Sequence, residues 1–128
     1  MNILLDTHIL IWWSDTPELL SSSARAFMED RRNTLAISVV SIWEMQIKIN
    51  LGKLSTRLPL REMVSSQIAI NGIQILHLDL PHIFELSNLP HHHRDPFDRL
   101  LIAQARVENM PILTADVVFS SYDVSILG

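Results

Sequence analysis

The sequence predicts an α/β protein in which helices sandwich a central parallel sheet of about five strands. Two observations carry that expectation. Short β-rich apolar runs alternate along the chain with segments of helical period, the pattern of βαβ units. The composition adds that one packed unit is enough: 128 residues, 48% hydrophobic, with six Pro and three Gly, make a single domain over 1–128.

The elements follow in chain order. Asn2–Leu5 is a short apolar run that stops at Asp6, Thr7 and His8, as a buried strand followed by a turn would. Ser21–Arg32 has helical spacing, with Ala24, Phe27 and Met28 on one side, and Thr34–Val40 is a second β-rich run. The segment from Trp43 to Leu51 is ambiguous, because strict apolar alternation favours a strand by period alone. Wound at about 100° per residue, it becomes a helix with two apolar faces. Trp43, Ile47 and Leu51 lie on one face and Ile42, Met45 and Ile49 on the other, with Glu44 and Lys48 on the edge between. The stretch SIWE, Ser41 to Glu44, also fits a capping box. A helix clamped between two layers is therefore expected here. Leu60–Asn71 reads as a helix through Met63, Val64 and Ile68, ending at Gly72. Ile73–Leu78 is a third strand, Leu80–Leu89 a short helix with Pro81 in its first turn, and Asp95–Asn109 a longer helix opened by Pro96. Ile112 and Leu113 form a fourth strand and Val124–Leu127 a fifth.

Composition narrows the function classes. The absence of cysteine excludes a disulfide framework and thiolate zinc, and fits a reducing compartment. The longest apolar run, Ile9 to Trp13, is far short of a membrane span, and no signal peptide is evident, so a cytoplasmic protein is expected. A net charge of −4 argues against a nucleic-acid binder that relies on a basic surface alone. That objection lapses if acids gather to hold cations, which reverse the local sign. Only Lys48 and Lys53 are lysines; the other basic residues are arginines, whose fork suits phosphate.

Four acids stand out. Asp6 and Asp116 directly follow strands, while Glu44 and Asp98 open helices. Each has a structural role available: Asp6, Glu44 and Asp98 as helix-start acids, Asp116 as the closure of an Asx-type turn. Together they have another. The carboxyl ends of parallel strands share one rim, where ligands bind, so all four would converge. At about 5 Å and an effective dielectric of about 20, each like-charged pair costs roughly 3 kcal/mol, more than a cap returns. A cluster of that kind persists if protonated or if it binds cations, and oxygen-only ligands point to Mg²⁺ or Mn²⁺. Other chemistries lack their parts. No lysine follows Lys53, as a receiver domain would want, and His8 stands where an aspartyl phosphatase would carry a second Asp. No G-x-S-x-G elbow, Walker A or G-x-G-x-x-G loop is present.

With these residues in view, LLDTH (Leu4–His8), SIWE with Lys48 and Gly52–Leu54, HRDPFDRLLIAQA (His93–Ala105) and ILTAD (Ile112–Asp116) resemble the PIN-domain ribonucleases. Among these, the likeness is to VapC-like toxins of bacterial type II toxin–antitoxin pairs. It covers essentially the whole chain. It implies a PIN-like α/β/α sandwich, with the Glu44 segment helical. It also implies that Asp6, Glu44, Asp98 and Asp116 are the catalytic, metal-binding acids, supported by Thr7, Thr114 and Asp95. The implied activity is endonucleolytic hydrolysis of RNA, with Mg²⁺-activated water attacking the phosphodiester in line. A VapB-like antitoxin and a homodimer are the implied partners, with Trp12, Trp13 and the Leu60–Ile70 helix as candidate docking residues.

Further features divide between two uses each. Arg94, Arg99 and His93 flank the acids and are candidate RNA contacts, or else plain surface charge. Three consecutive histidines on a loop do not converge on one zinc ion. The three tryptophans can stack bases or pack against core and partner, and packing is the expected use. A PIN-fold binding module that sequesters RNA or protein without cleavage is the alternative function. A DNA-acting nuclease shares the same chemistry.

Overall fold

Strand β1 (Asn2–Leu5) lies at the centre of the sheet because nothing in it after Asn2 tolerates water: Ile3, Leu4 and Leu5 are wholly buried. The computed structural model describes residues 1–128. Around β1 the chain adds α1 (Thr7–Asp15), α2 (Ser22–Glu29), β2 (Thr34–Ser38), α3 (Val39–Asn50), α4 (Leu60–Asn71), β3 (Gln74–Leu76), α5 (Leu80–Glu85), α6 (Pro96–Glu108), β4 (Ile112–Leu113) and β5 (Ile126–Leu127). All pairings are parallel, in the order β3-β2-β1-β4-β5. The α/β/α sandwich and its five-stranded parallel sheet are thus as the sequence predicts.

The period of two in β1 divides the core. Ile3 and Leu5 face one side, with Leu35 and Ile37 of β2, and meet Ile9, Leu10, Ala24, Met28 and Met63 from α1, α2 and α4. Leu4 and Ile112 face the other, against Leu101, Ile102 and Ala105 of α6. Truncating any of these central leucines or isoleucines to alanine costs about 2–5 kcal/mol. Helix α3 joins the layers, sending Met45 to the first core and Val40 to the second. No helix is long and apolar enough to cross a membrane.

The order of strands has a consequence for function. The chain leaves β1 toward β2 and later returns on its other flank as β4. Outside the carboxyl ends of β1 and β4 lies the switch point, where open α/β sheets form their ligand crevice.

Several local expectations are corrected. The turn expected at Asp6–His8 is instead the start of helix Thr7–Asp15, with Asp6 at its N-cap. Ile9 and Leu10 enter the core while Ile11, Trp12 and Trp13 pack half-buried against it, so the run is apolar nearly all round and shows no helical period. Ser38, not Ser41, caps α3: its hydroxyl accepts from the Val40 N–H at 3.0 Å. Strand β2 accordingly ends at Ser38 rather than Val40, and Glu44 sits a turn inside the helix instead of completing a capping box. Nor is α3 clamped on both faces. It packs on α1 and α6, but Trp43 is 55% exposed and Leu51 62%. Leu80–Leu89 breaks into α5 and a single 3-10 turn, Leu86–Asn88. Helix α4 has the expected bounds, and Gly72 closes it at φ 65°, a left-handed conformation that glycine adopts without steric cost.

Candidate active site

Asp6 is the first residue beyond β1, in the N-cap position of α1, yet its side chain makes no cap bond. Instead Oδ2 accepts from the Thr114 hydroxyl at 2.9 Å, across the switch point from the end of β4. Thr114 Oγ1 in turn accepts from the Asp116 N–H at 3.0 Å, which fixes the turn carrying that acid. Asp116 spends one oxygen on the Val118 N–H and is otherwise exposed. Both roles foreseen for it, turn closure and a place at the rim, are met by one side chain.

Glu44 is buried and fully engaged. Thr7 donates to its Oε1 at 2.9 Å and also hydrogen-bonds Ser41 at 2.8 Å. Lys48, one helical turn on, donates to Oε2 at 2.9 Å. The buried Ser38–Gln104 pair, at 2.5 Å, ties the start of α3 to the middle of α6.

Asp95 is the N-cap of α6, its Oδ1 accepting from Phe97 and Asp98 N–H groups. Its cap frees Asp98, at the third position of the helix, to face inward. The preceding loop folds back on this turn. Arg99 donates to the carbonyls of Pro90 and Leu89 and to the Tyr122 hydroxyl, which also accepts from the His93 N–H.

Electrostatically the acids act as one group. Burial, and then Asp95, Asp6, Glu44 and Asp116 in turn, push the Asp98 carboxyl up to about 8. Burial also raises Asp6, outweighing the Thr114 hydrogen bond and nearby His8, which pull the other way. Lys48 is held charged, first by its bond to Glu44, with Asp95 and Asp98 adding to the field. Carboxyls whose charged forms are disfavoured in this way are what a site awaiting a cation would carry.

The donor set fits Mg²⁺ or Mn²⁺ in chemistry: carboxylates only, flanked by hydroxyls. The present rotamers do not yet enclose an ion, since no three acid or histidine side chains stand in coordinating arrangement. Glu44 has both oxygens already bonded, Asp98 accepts no side-chain hydrogen bond, and Asp116 is exposed. Asp6 and Asp116 line an open basin, with Asp98 and Glu44 coupled to them electrostatically. The cavity touching Asp6 and Asp116 holds about 240 Å³ and is completed by His8, Trp12 and Ala115. Roomier grooves of about 580 and 590 Å³ lie elsewhere, among Asn109, Met110 and Ser125 and around Leu54 to Arg61, without any of the four acids.

Thus Asp6, Thr7, Glu44, Asp95, Asp98, Thr114 and Asp116 come together as the sequence anticipates. Arg99 does not reach into solvent as a free phosphate contact, because its guanidinium is occupied by the 89–93 loop. His93 turns inward, its side chain 13% exposed, whereas Arg94 is exposed. Trp43 is exposed and edge-on to Phe97 with centroids 5.0 Å apart, so the residues preceding Glu44 and Asp98 pair their rings. Residues missed from sequence are Ser41 as a site hydroxyl, Gln104 and Tyr122. Gln104 had a signal, being a polar residue within an apolar helical stretch. Tyr122, which lies past β4 and outside every motif, had none.

Fold and site together define an α/β/α sandwich whose parallel sheet presents an acidic cluster at its switch point. The PIN domain profile matches residues 3–125, and the chain belongs to the PIN-domain family. Ribonuclease VapC22 of Mycobacterium tuberculosis (strain ATCC 25618 / H37Rv) is 29% identical over 122 residues, 90% of this chain and 87% of its own length. Among solved structures, VapBC2 from Rickettsia felis bound to a promoter DNA fragment aligns at TM-score 0.75 with 18% identity, covering 98% of this chain and 97% of that one. VapBC-5 from Mycobacterium tuberculosis aligns at 0.61, also with 18% identity, over 98% and 94%. At these identities the structural likeness concerns the fold.

Proposed function

We propose that this protein is a divalent-cation-dependent endoribonuclease acting as the toxin of a VapBC-type pair. The observation that carries this reading is the convergence of Asp6, Glu44, Asp98 and Asp116, from four separate segments, on the switch point of a PIN fold. The 29% identical relative named as a ribonuclease gives the reaction class. The structural neighbour named as a member of the VapBC family of toxin–antitoxin systems supports the partner class, a VapB-like antitoxin.

Asp6, Glu44, Asp98 and Asp116 would hold Mg²⁺, or Mn²⁺ in its place. When bound, such an ion supplies Lewis-acid stabilisation at phosphate and a lowered pKa for bound water. The chain's own residues do the rest. Thr114 and Thr7 fix the Asp6 and Glu44 carboxylates so that neither must reorganise, the electrostatic preorganisation on which such sites depend. Lys48 offsets part of the local negative charge that would repel RNA. Arg94, exposed beside the basin, is the free guanidinium for a flanking phosphate. Trp12 and Trp13, half-buried on α1, remain candidate antitoxin contacts, and a homodimer is the expected assembly.

The test is cleavage of a structured RNA pool by antitoxin-free protein, in Mg²⁺ or EDTA, alongside Asp98→Asn. Cleavage that needs the ion and disappears in the variant is the expected result. RNA binding by a folded protein that never cuts, with Asp98→Asn equally toxic in cells, would favour the sequestering module instead.

A further inference from the structure

His93 is built into the site with its two ring nitrogens assigned opposite tasks. Nδ1 accepts from the Asp95 N–H at 3.1 Å, so it carries no hydrogen and Nε2 does. That Nε2 is buried, has no well-aligned partner, and lies 3.2 Å from its nearest acceptor, Asp98 Oδ2. The two atoms are within hydrogen-bonding distance and lack only alignment. The ring cannot easily turn away. Tyr122 Oη accepts from the His93 N–H at 3.1 Å and from Arg99 at 3.3 Å, and Arg99 also holds the Pro90 carbonyl at 2.8 Å. The loop is therefore latched from both the turn after β4 and α6 itself.

We propose that His93 is a positioning residue for Asp98: its Nε2–H holds Oδ2 and leaves Oδ1 to face the cation. Tyr122 and Arg99 are the latch that delivers it. Carboxylate ligands are commonly oriented in this way by outer hydrogen bonds, and losing such a partner lowers metal affinity about 10–100-fold. The inference rests on the cation-dependent reading above.

Two substitutions separate the ring's tasks. His93→Asn keeps an acceptor near Nδ1 but has nothing to offer Asp98. His93→Gln places an amide N–H near Nε2 and so restores the donor. Mn²⁺ affinity of each folded protein is measured calorimetrically, without RNA, and cleavage is measured separately. The expected result is Mn²⁺ binding weakened about tenfold or more in His93→Asn and largely recovered in His93→Gln, with kcat following affinity while KM for RNA holds. Equal Mn²⁺ affinity in His93→Asn and wild type would overturn the proposal. So would a His93→Gln protein as impaired as His93→Asn, since ring packing would then be the operative feature. Failure of the wild-type chain itself to bind Mn²⁺ would remove the cation reading and this inference with it.

Discussion

The two halves of the acidic basin are built differently. On one side, Asp6 and Glu44 are buried, and Glu44 has both oxygens bonded, by Thr7 and Lys48. On the other, Asp98 hangs from the first turn of α6 with only the off-line His93 N–H for company, its carboxyl raised to about 8. The contrast teaches a division of labour. The Asp6–Glu44 half is a fixed wall, its hydrogen-bonding capacity largely committed. The Asp98 half is the adjustable jaw, kept short of partners and therefore responsive to an incoming charge. Low local dielectric makes both states expensive to disturb, for opposite reasons.

Breaking the wall should have the largest effect. Asp6→Asn or Glu44→Gln should lower cation-dependent RNA cleavage by at least about 100-fold, more than the loss of an outer partner. An activity within a factor of about three of wild type would show that the wall is structural. Thr7→Val comes next. It deprives Glu44 and Ser41 of a partner at once, so cleavage should fall about tenfold, with stability down about 1–3 kcal/mol by denaturant titration.

The jaw is sharpened by pH. Folding raises the Asp98 pKa from an ordinary 3.8 to about 8, so between those values the folded state keeps a proton that the unfolded chain gives up. Metal-free stability from this group must therefore fall as pH rises from about 4 to about 8, and Asp6 adds in the same direction. Asp98→Asn should flatten that slope. It should melt higher than wild type near pH 8 by the equivalent of about 1–2 kcal/mol, the shift being discounted for partial exposure. A steeper slope in the variant would contradict the assignment. The smallest effect is expected from Lys48→Met, at about 1 kcal/mol or less of metal-free stability. Because Lys48 competes for Glu44 Oε2, Mn²⁺ should bind this variant at least as tightly as wild type; weaker binding would mean that the lysine serves the ion rather than standing in for it.

Much of this was legible in the sequence because Asp6, Asp98 and Asp116 each have a local reason for their place. A carboxylate after a buried strand, or three positions into a Pro-opened helix, has its direction fixed by the backbone, and a parallel sheet then brings such positions to one rim. What escaped depends on tertiary contact. The Tyr122 latch joins residues 23 and 29 positions apart in sequence, and no period or spacing encodes that meeting. Ser41 was misread for a related reason: S-x-x-E satisfied a capping pattern, while Ser38, at the end of β2, had the geometry to cap. The exposed Trp43 face likewise escaped. Apolar period reports what can be buried, not whether a neighbour arrives to bury it.

The central claim is that Asp6, Glu44, Asp98 and Asp116 form one cation centre. Its most direct test is anomalous diffraction from crystals of the protein grown with Mn²⁺. The expected result is a manganese peak at the switch point, about 2.0–2.4 Å from carboxylate oxygens of Asp6 and at least one of Asp98 and Asp116. Manganese found only at the His91–His93 loop, or no peak at the acids at saturating Mn²⁺, would contradict it.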